Sequence, residues 1–235
     1  MGRAFEYRKA SKMARWDKMA KAFTKIGREI SVSVKIGGPN PESNPALRRA
    51  IQNAKGVNMP KDRVEAAIKK ASSKDSTNYE EVVYEGIGPH GVAFMVETST
   101  DNTTRTVANV RHIFSKNGGT LGNSGSVSYL FERKGVFTFS KGNIQLDEFE
   151  LEMIDHGLDV LESEDEIVKA YTKFEDFGTF SKALEDKGIE ALSQELQRIP
   201  TTTKELTEEQ VDEILEFIDK LEQDDDVQSV FHNLA

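Results

Sequence analysis

The sequence predicts an α+β protein: an N-terminal all-helical domain followed by two ferredoxin-like α/β domains, one inserted in the other. Three observations carry that reading. From Trp16 to Ala71 the apolar residues recur at three- and four-residue steps, the period of an amphipathic helix. From Tyr79 the period shortens to two, in brief runs rich in Val, Phe and Tyr that glycine turns separate. Charge divides at the same place. Residues 1–75 hold 18 Lys and Arg against 7 Asp and Glu, a net of +11, whereas residues 76–235 hold 13 against 33, a net of −20. The overall charge of −9 therefore hides a basic region joined to an acidic body. Such asymmetry points to a polyanionic partner for the basic part.

In chain order, residues 16–36, WDKMAKAFTKIGREISVSVKI, place Met19, Ala22, Phe23, Ile26, Ile30 and Val34 on one helical face. Lys18, Lys21, Lys25, Arg28 and Lys35 share an adjoining face. A merely solvated helix surface has the same pattern; the charge split raises this one to a candidate phosphate-binding row. Arg8, Lys9, Lys12 and Arg15 precede it in a poorly patterned stretch, either an arm or a helix ordered by a partner. Gly37-Gly38-Pro39 should stop the first helix. Asn44-Pro45 reads as an N-cap with proline at the first helical position, opening a stripe of Leu47, Ala50, Ile51 and Ala54. Asn58-Met59-Pro60 reads as the same signal again, before Val64, Ala67, Ile68 and Ala71. Arg48, Arg49, Lys55, Lys61, Lys69 and Lys70 fall off these stripes and extend the cationic surface. The polar stretch 72–78, SSKDSTN, is a linker, which bounds the first domain at residues 1–75.

Beyond it, Glu81–Glu85 and Gly91–Thr98 read as strands joined by GIGPHG. Thr103–Lys116 reads as a helix capped by Asp101 or Asn102, and the alternation of Val127, Tyr129 and Phe131 as a further strand. Residues 134–199 then run strand, helix, strand, strand, helix, strand, the split βαβ order of a ferredoxin-like unit. Thr207 and Gln210 suit a capping box ahead of a helix with Val211, Ile214, Leu215, Ile218 and Leu221, and Val227–His232 is a closing strand. That last pair needs a sheet of its own. The expectation is a discontinuous middle domain, residues 76–133 plus 200–235, interrupted by an inserted domain at 134–199.

Two long motifs resemble one family. YEGIGPHGVAFMVETSTDNTTRTVANVRHIFSKNGGTLGNSGSVSYLF, residues 84–131, and NPALRRAIQNAKGVNMPKDRVEAAIKKA, residues 44–71, closely resemble the YebC/PmpR family, which includes the mitochondrial translational activator of cytochrome oxidase. The similarity extends over essentially the whole chain. It departs at the start, where GRAFEYRKASK replaces the family's Gly-His-Ser-Lys-Trp type of opening. The resemblance implies three domains and a cytoplasmic, non-enzymatic regulator of gene expression. Bacterial members are described as transcriptional regulators that bind DNA. Some members act instead on translating ribosomes, at stretches such as consecutive prolines. The implied partners are DNA or ribosomal RNA, with proteins of either machinery on the acidic body.

Other motifs point to less. Gly86-x-Gly88-x-x-Gly91 matches the dinucleotide fingerprint by letters, but a strand follows where a helix N-terminus must receive the pyrophosphate. Gly118, Gly119, Gly122 and Gly125 form either a tight helix-to-strand connection or a nest of amides for an anion. Asp101, Asn102, Arg105 and Arg111 are accounted for by capping and surface ion pairs; the family resemblance adds a partner-contact role for them and for Gly118 and Gly119. The chain has no cysteine, and its four histidines lack metal-ligand spacing, so neither metal nor cofactor is expected. No residue constellation nominates a catalytic centre. Asp224-Asp225-Asp226 reads as a solvated turn. No apolar run approaches the length needed to span a bilayer, and the start of the chain lacks the apolar core of a secretory signal, so no membrane partner is expected.

Overall fold

A computed structural model describes the backbone of residues 3–73 and 77–235, and the side chains from residue 19 onward within those ranges. The chain divides into two compact units, Met1–Ser76 and Thr77–Ala235.

The N-terminal unit is three helices: α1 (Arg3–Gly37), α2 (Pro45–Gly56) and α3 (Lys61–Ala71). Their stripes meet as the spacing predicts from Ile26 onward, whereas Met19, expected on the same face, is exposed. Ile26, Ile30 and Val34 of α1 pack with Leu47, Ala50 and Ala54 of α2 and with Val64 and Ala71 of α3. One buried polar side chain organises the α1–α2 turn. Asn44 accepts the Leu47 N–H at 3.1 Å as the cap of α2, and its Nδ2 donates to the carbonyls of Ser33 at 2.7 Å and Gly38 at 2.8 Å. It thereby satisfies orphan groups at the end of one helix and the start of the next. Asn58 differs from expectation. It lies in the left-handed region at φ 56° and closes α2, with the Met59 N–H returning to the Ala54 carbonyl, while α3 begins after Pro60 without a side-chain cap.

The C-terminal unit begins with β1 (Glu80–Ile87), β2 (Ala93–Thr100), α4 (Thr103–Lys116) and β3 (Thr120–Leu121). It continues through β4 (Phe131–Ser140), α5 (Leu146–Ile154), β5 (Leu158–Glu164), β6 (Ile167–Lys173), α6 (Phe177–Asp186) and β7 (Ala191–Pro200), and closes with α7 (Glu208–Glu222) and β8 (Val227–His232). The strands form two separate four-stranded antiparallel sheets. The first has the order β3-β1-β2-β8, and the second has the order β5-β6-β4-β7.

In the first sheet, α4 and α7 supply Val110, Phe114, Ile214, Phe217 and Leu221, which pack on Val92, Phe94 and Val96; Leu215, expected in the α7 stripe, is exposed, and Phe217 is buried in the core instead. The Phe217 ring meets Phe94 and Phe114 edge-on, both at 5.0 Å between centroids. Ala93 and Met95 point the other way, against Val127, Leu130, Phe131 and Phe231. Burial on both faces explains why Val92–Val96 is a continuous apolar run instead of an alternating one. In the second sheet, α5 and α6 cover one face with Phe149, Met153, Phe180 and Leu184 against Phe137, Phe139, Val168 and Ala170. Each of its crossovers skips one strand, which is the split βαβ arrangement expected of residues 134–199.

The strand expected at Val127–Phe131 is absent. Ser128–Leu130 is a short 3-10 turn, and Phe131 opens β4 instead. The reason is hydrogen bonding: the Val127 and Ser128 amides both donate to the Glu85 carboxylate at 2.9 Å, which removes them from any ladder.

Candidate nucleic-acid interface

The cations of the N-terminal unit fall into two groups. Lys21, Lys35, Lys55, Lys61, Lys69 and Lys70 are exposed. Lys25 and Arg28 are half-buried on α1. At 100° per residue Lys21, Lys25, Arg28 and Lys35 lie across the helix from Ile26 and Ile30, which are buried. The arginines of α2 serve the fold as well. Arg48 donates from Nη1 to the carbonyls of Pro41 and Glu42, both at 2.8 Å, and Arg49 Nε pairs with Glu29 at 3.1 Å. Arg63, a cation of α3, sits over the Phe23 ring at 5.7 Å, joining the surface of α3 to α1. Lys61 lies 3.7 Å from Glu65 one helical turn away. The side chains of Arg8, Lys9, Lys12, Arg15 and Lys18 lie outside the described residues.

In the C-terminal unit the second candidate set is built into a capping network. Asn102 caps α4 by accepting the Arg105 N–H at 3.0 Å. Arg105 Nη2 reaches Asp101 at 2.8 Å and Asp226 at 2.7 Å, and the hydrogen bond to Asp226, then that to Asp101, raises the guanidinium pKa above its ordinary value. Asp226 corrects the solvated-turn expectation: it is buried, and also accepts from Thr106 at 2.7 Å and Thr100 at 3.1 Å. One carboxylate thus ties the start of β8 to the end of β2 and the first turn of α4. Arg111 is exposed on the same helix, outside this network. Gly118 and Gly119 follow α4. Gly118 takes φ +77°, which turns the chain after α4, and a Cβ on Gly119 would lie 2.7 Å from the Ile87 carbonyl oxygen, so Gly119 serves a tight approach to β1.

The glycine-rich loop does form a nest of amides, and the protein's own Glu85 fills it. Its carboxylate accepts the N–H groups of Gly125, Val127 and Ser128, each at 2.9 Å. Burial pushes its pKa up, but these amides and the Ser128 hydroxyl outweigh burial and hold it below the ordinary value. Glu85 and Asp226 are buried carboxylates; the sequence does not single out the first, and the second reads there as a solvated turn residue. Their donors arrive from distant segments, and no local spacing marks them.

Among the described residues no group of three His, Asp or Glu side chains could hold a metal ion, and no helix is long and apolar enough to cross a membrane. His90 Nε2 lies 2.7 Å from Glu213.

Comparison with known proteins gives a consistent answer. The model of the TACO1/YebC protein N-terminal domain matches residues 3–74, and that of the TACO1/YebC second and third domain matches residues 79–234. The chain is 55% identical over 240 residues, covering all of both chains, to a protein of Anaeromyxobacter dehalogenans named "Probable transcriptional regulatory protein". It is 54% identical to a protein of the same name from Porphyromonas gingivalis, over the whole of this chain and 97% of that one. A crystal structure of a conserved hypothetical protein from Aquifex aeolicus superposes with a TM-score of 0.82 at 40% identity, covering 92% of this chain and 90% of that one. The chain belongs to the TACO1/YebC family.

Proposed function

We propose that the protein is a non-enzymatic, cytoplasmic regulator of transcription that binds DNA through the cations of its N-terminal unit. The observation that carries this reading is the α1 row: Lys21, Lys25, Arg28 and Lys35 turn away from the helical core while the unit as a whole holds a strong positive excess. Arg and Lys on such a surface supply affinity through phosphates and counterion release, with little sequence information. Arg8, Lys9, Lys12, Arg15 and Lys18 add positive charge ahead of the row in the sequence, and Arg48, Arg49, Lys55, Lys61, Lys69 and Lys70 widen the cationic surface to α2 and α3. Arg48 holds the turn carbonyls through Nη1 and has further donors to offer, because a guanidinium carries five. The acidic C-terminal unit limits nucleic acid to the basic unit. In the same reading residues 76–133 and 200–235 make one discontinuous domain, interrupted by 134–199. The names of the relatives support a role in transcription.

A phosphate contact is blind to the difference between duplex DNA and ribosomal RNA, so the test uses both. Titrate the full chain and a Lys21→Glu/Lys25→Glu/Lys35→Glu variant against a DNA duplex and a ribosomal RNA fragment over a series of salt concentrations. The variant should bind more weakly, with the slope of log K against log salt reduced by about 0.7 to 0.9 for each phosphate no longer neutralised. An unchanged slope on both targets would sink the reading. Weaker binding to RNA alone, with DNA binding intact, moves the function to the translating ribosome.

A further inference from the structure

Helix α5 is apolar on two opposite sides. Phe149 and Met153 enter the core of the second sheet, while Leu151 and Ile154 stand outward with 73% and 54% of their surfaces exposed. Residues three apart on a helix are neighbours, so the two side chains form one small ridge. An exposed apolar pair rimmed by charged side chains has the pattern of an interaction surface.

The chain around this ridge is anionic. Residues 142–168 contain ten Asp and Glu and no Lys or Arg. Five of the ten, Asp147, Glu148, Glu150, Glu152 and Asp155, lie on α5 or directly after it. Among the described residues the ion pairs of these five are limited to Glu152 with Lys187. Whatever covers Leu151 and Ile154 must therefore bring apolar surface and positive charge together. A nucleic acid brings neither. A second copy of the same ridge would set like charges against each other, which strongly disfavours pairing.

We propose that α5 is the docking face for a basic amphipathic protein segment, a helix with two or three apolar side chains at helical spacing and Lys or Arg on either side. The apolar residues would cover Leu151 and Ile154, and the cations would meet the carboxylate rim, as in helix-in-groove recognition. The rim steers encounter, and the ridge holds the complex. This site lies within the C-terminal unit and is independent of what the N-terminal unit binds.

The test uses the full chain at physiological salt with two probes: an amphipathic Lys/Leu helical peptide, and oligolysine of equal charge. Leu151→Ser/Ile154→Ser should weaken the Lys/Leu peptide by about tenfold or more and leave oligolysine binding unchanged. Leu215→Ser, on the solvent side of acidic helix α7, should leave both unchanged. Leu151→Gln alone gives the same readout with a smaller perturbation, should the double variant lose its native circular dichroism. Equal peptide binding by wild type and variants overturns the proposal, as does an equal loss from Leu215→Ser. A concentration-dependent dimer that the double variant abolishes also overturns it, in favour of self-association through this ridge.

Discussion

The two units treat charge in opposite ways. Among the described residues, the N-terminal unit has a core of short aliphatic side chains, three of its eight buried members being alanine, and leaves most of its cations on the surface. The C-terminal unit holds six fully buried phenylalanines and turns selected carboxylates inward. Glu85 and Asp226 each serve as acceptor for three separate donor residues, so they act as internal fastenings and add nothing to a surface field. Net charge alone is therefore a poor guide to what a unit can bind. What matters is which charges the fold has already engaged. Among the described residues of the N-terminal unit the buried polar side chains are the neutral Ser33 and Asn44, and no charged group is buried with them.

The largest test of this contrast is Phe217→Ala. Removing a ring packed edge-on against two others should cost about 3–5 kcal/mol, read by urea denaturation of the C-terminal unit. Nucleic-acid affinity should hold at temperatures where the variant remains folded; a parallel fall would show that the units do not act separately. Next is Asp226→Ala, which removes the buried acceptor shared by Thr100, Thr106 and Arg105. Its expected cost is about 3 kcal/mol, with Asp226→Asn costing less. Asn44→Ala should destabilise the N-terminal unit by about 2–3 kcal/mol, combining a lost cap with two stranded carbonyls. It should also blunt the salt-dependent binding assigned to α1, because it loosens the turn that seats α2.

Glu85→Gln is the mildest and the most local. Amides of Gly125, Val127 and Ser128 should exchange with deuterium faster, by roughly tenfold, with the rest of the first sheet unchanged. The pH dependence has a definite sign. Because folding lowers the Glu85 pKa, its stabilisation is fully present above the ordinary glutamate value of 4.5 and is lost as pH falls through the lower, folded-state value. Wild-type protection of these three amides should weaken in that acid range, and the Gln variant should show no such step. Protection that stays flat in the wild type would remove Glu85 from this role.

What could be read from the sequence follows the range of the interactions. Asn44, Asn102 and the Thr207/Gln210 capping box were legible because each cap bonds an amide three residues on. The strand and helix order of residues 134–199 was legible because each element carries its own period. Glu85 was not, since its partners lie 40 or more residues away, and Asp226 was not, since its partners lie 120 or more away. The error at Val127–Phe131 has the same origin: alternation was present, but a distant carboxylate had claimed the amides that a strand requires. On α1, helical spacing set Lys21, Lys25, Arg28 and Lys35 off the face of Ile26 and Ile30, which is the buried one. It could not show that Arg48 is held by two turn carbonyls or that Arg63 rests on Phe23.

The position of β8 bears on the order of assembly. Its residues pair with β2 from Phe94 opposite His232 to Thr98 opposite Val227, so the two halves of that pairing leave the ribosome more than a hundred residues apart. The second sheet, in contrast, is drawn from one continuous stretch and has all its strands by Pro200. A growing chain therefore passes through a stage in which the later sheet is whole and the earlier one still offers a bare β2 edge, the kind of edge that recruits stray strands. Translation that halts between Pro200 and Val227 would leave that edge open, and the finished fold depends on getting past that point.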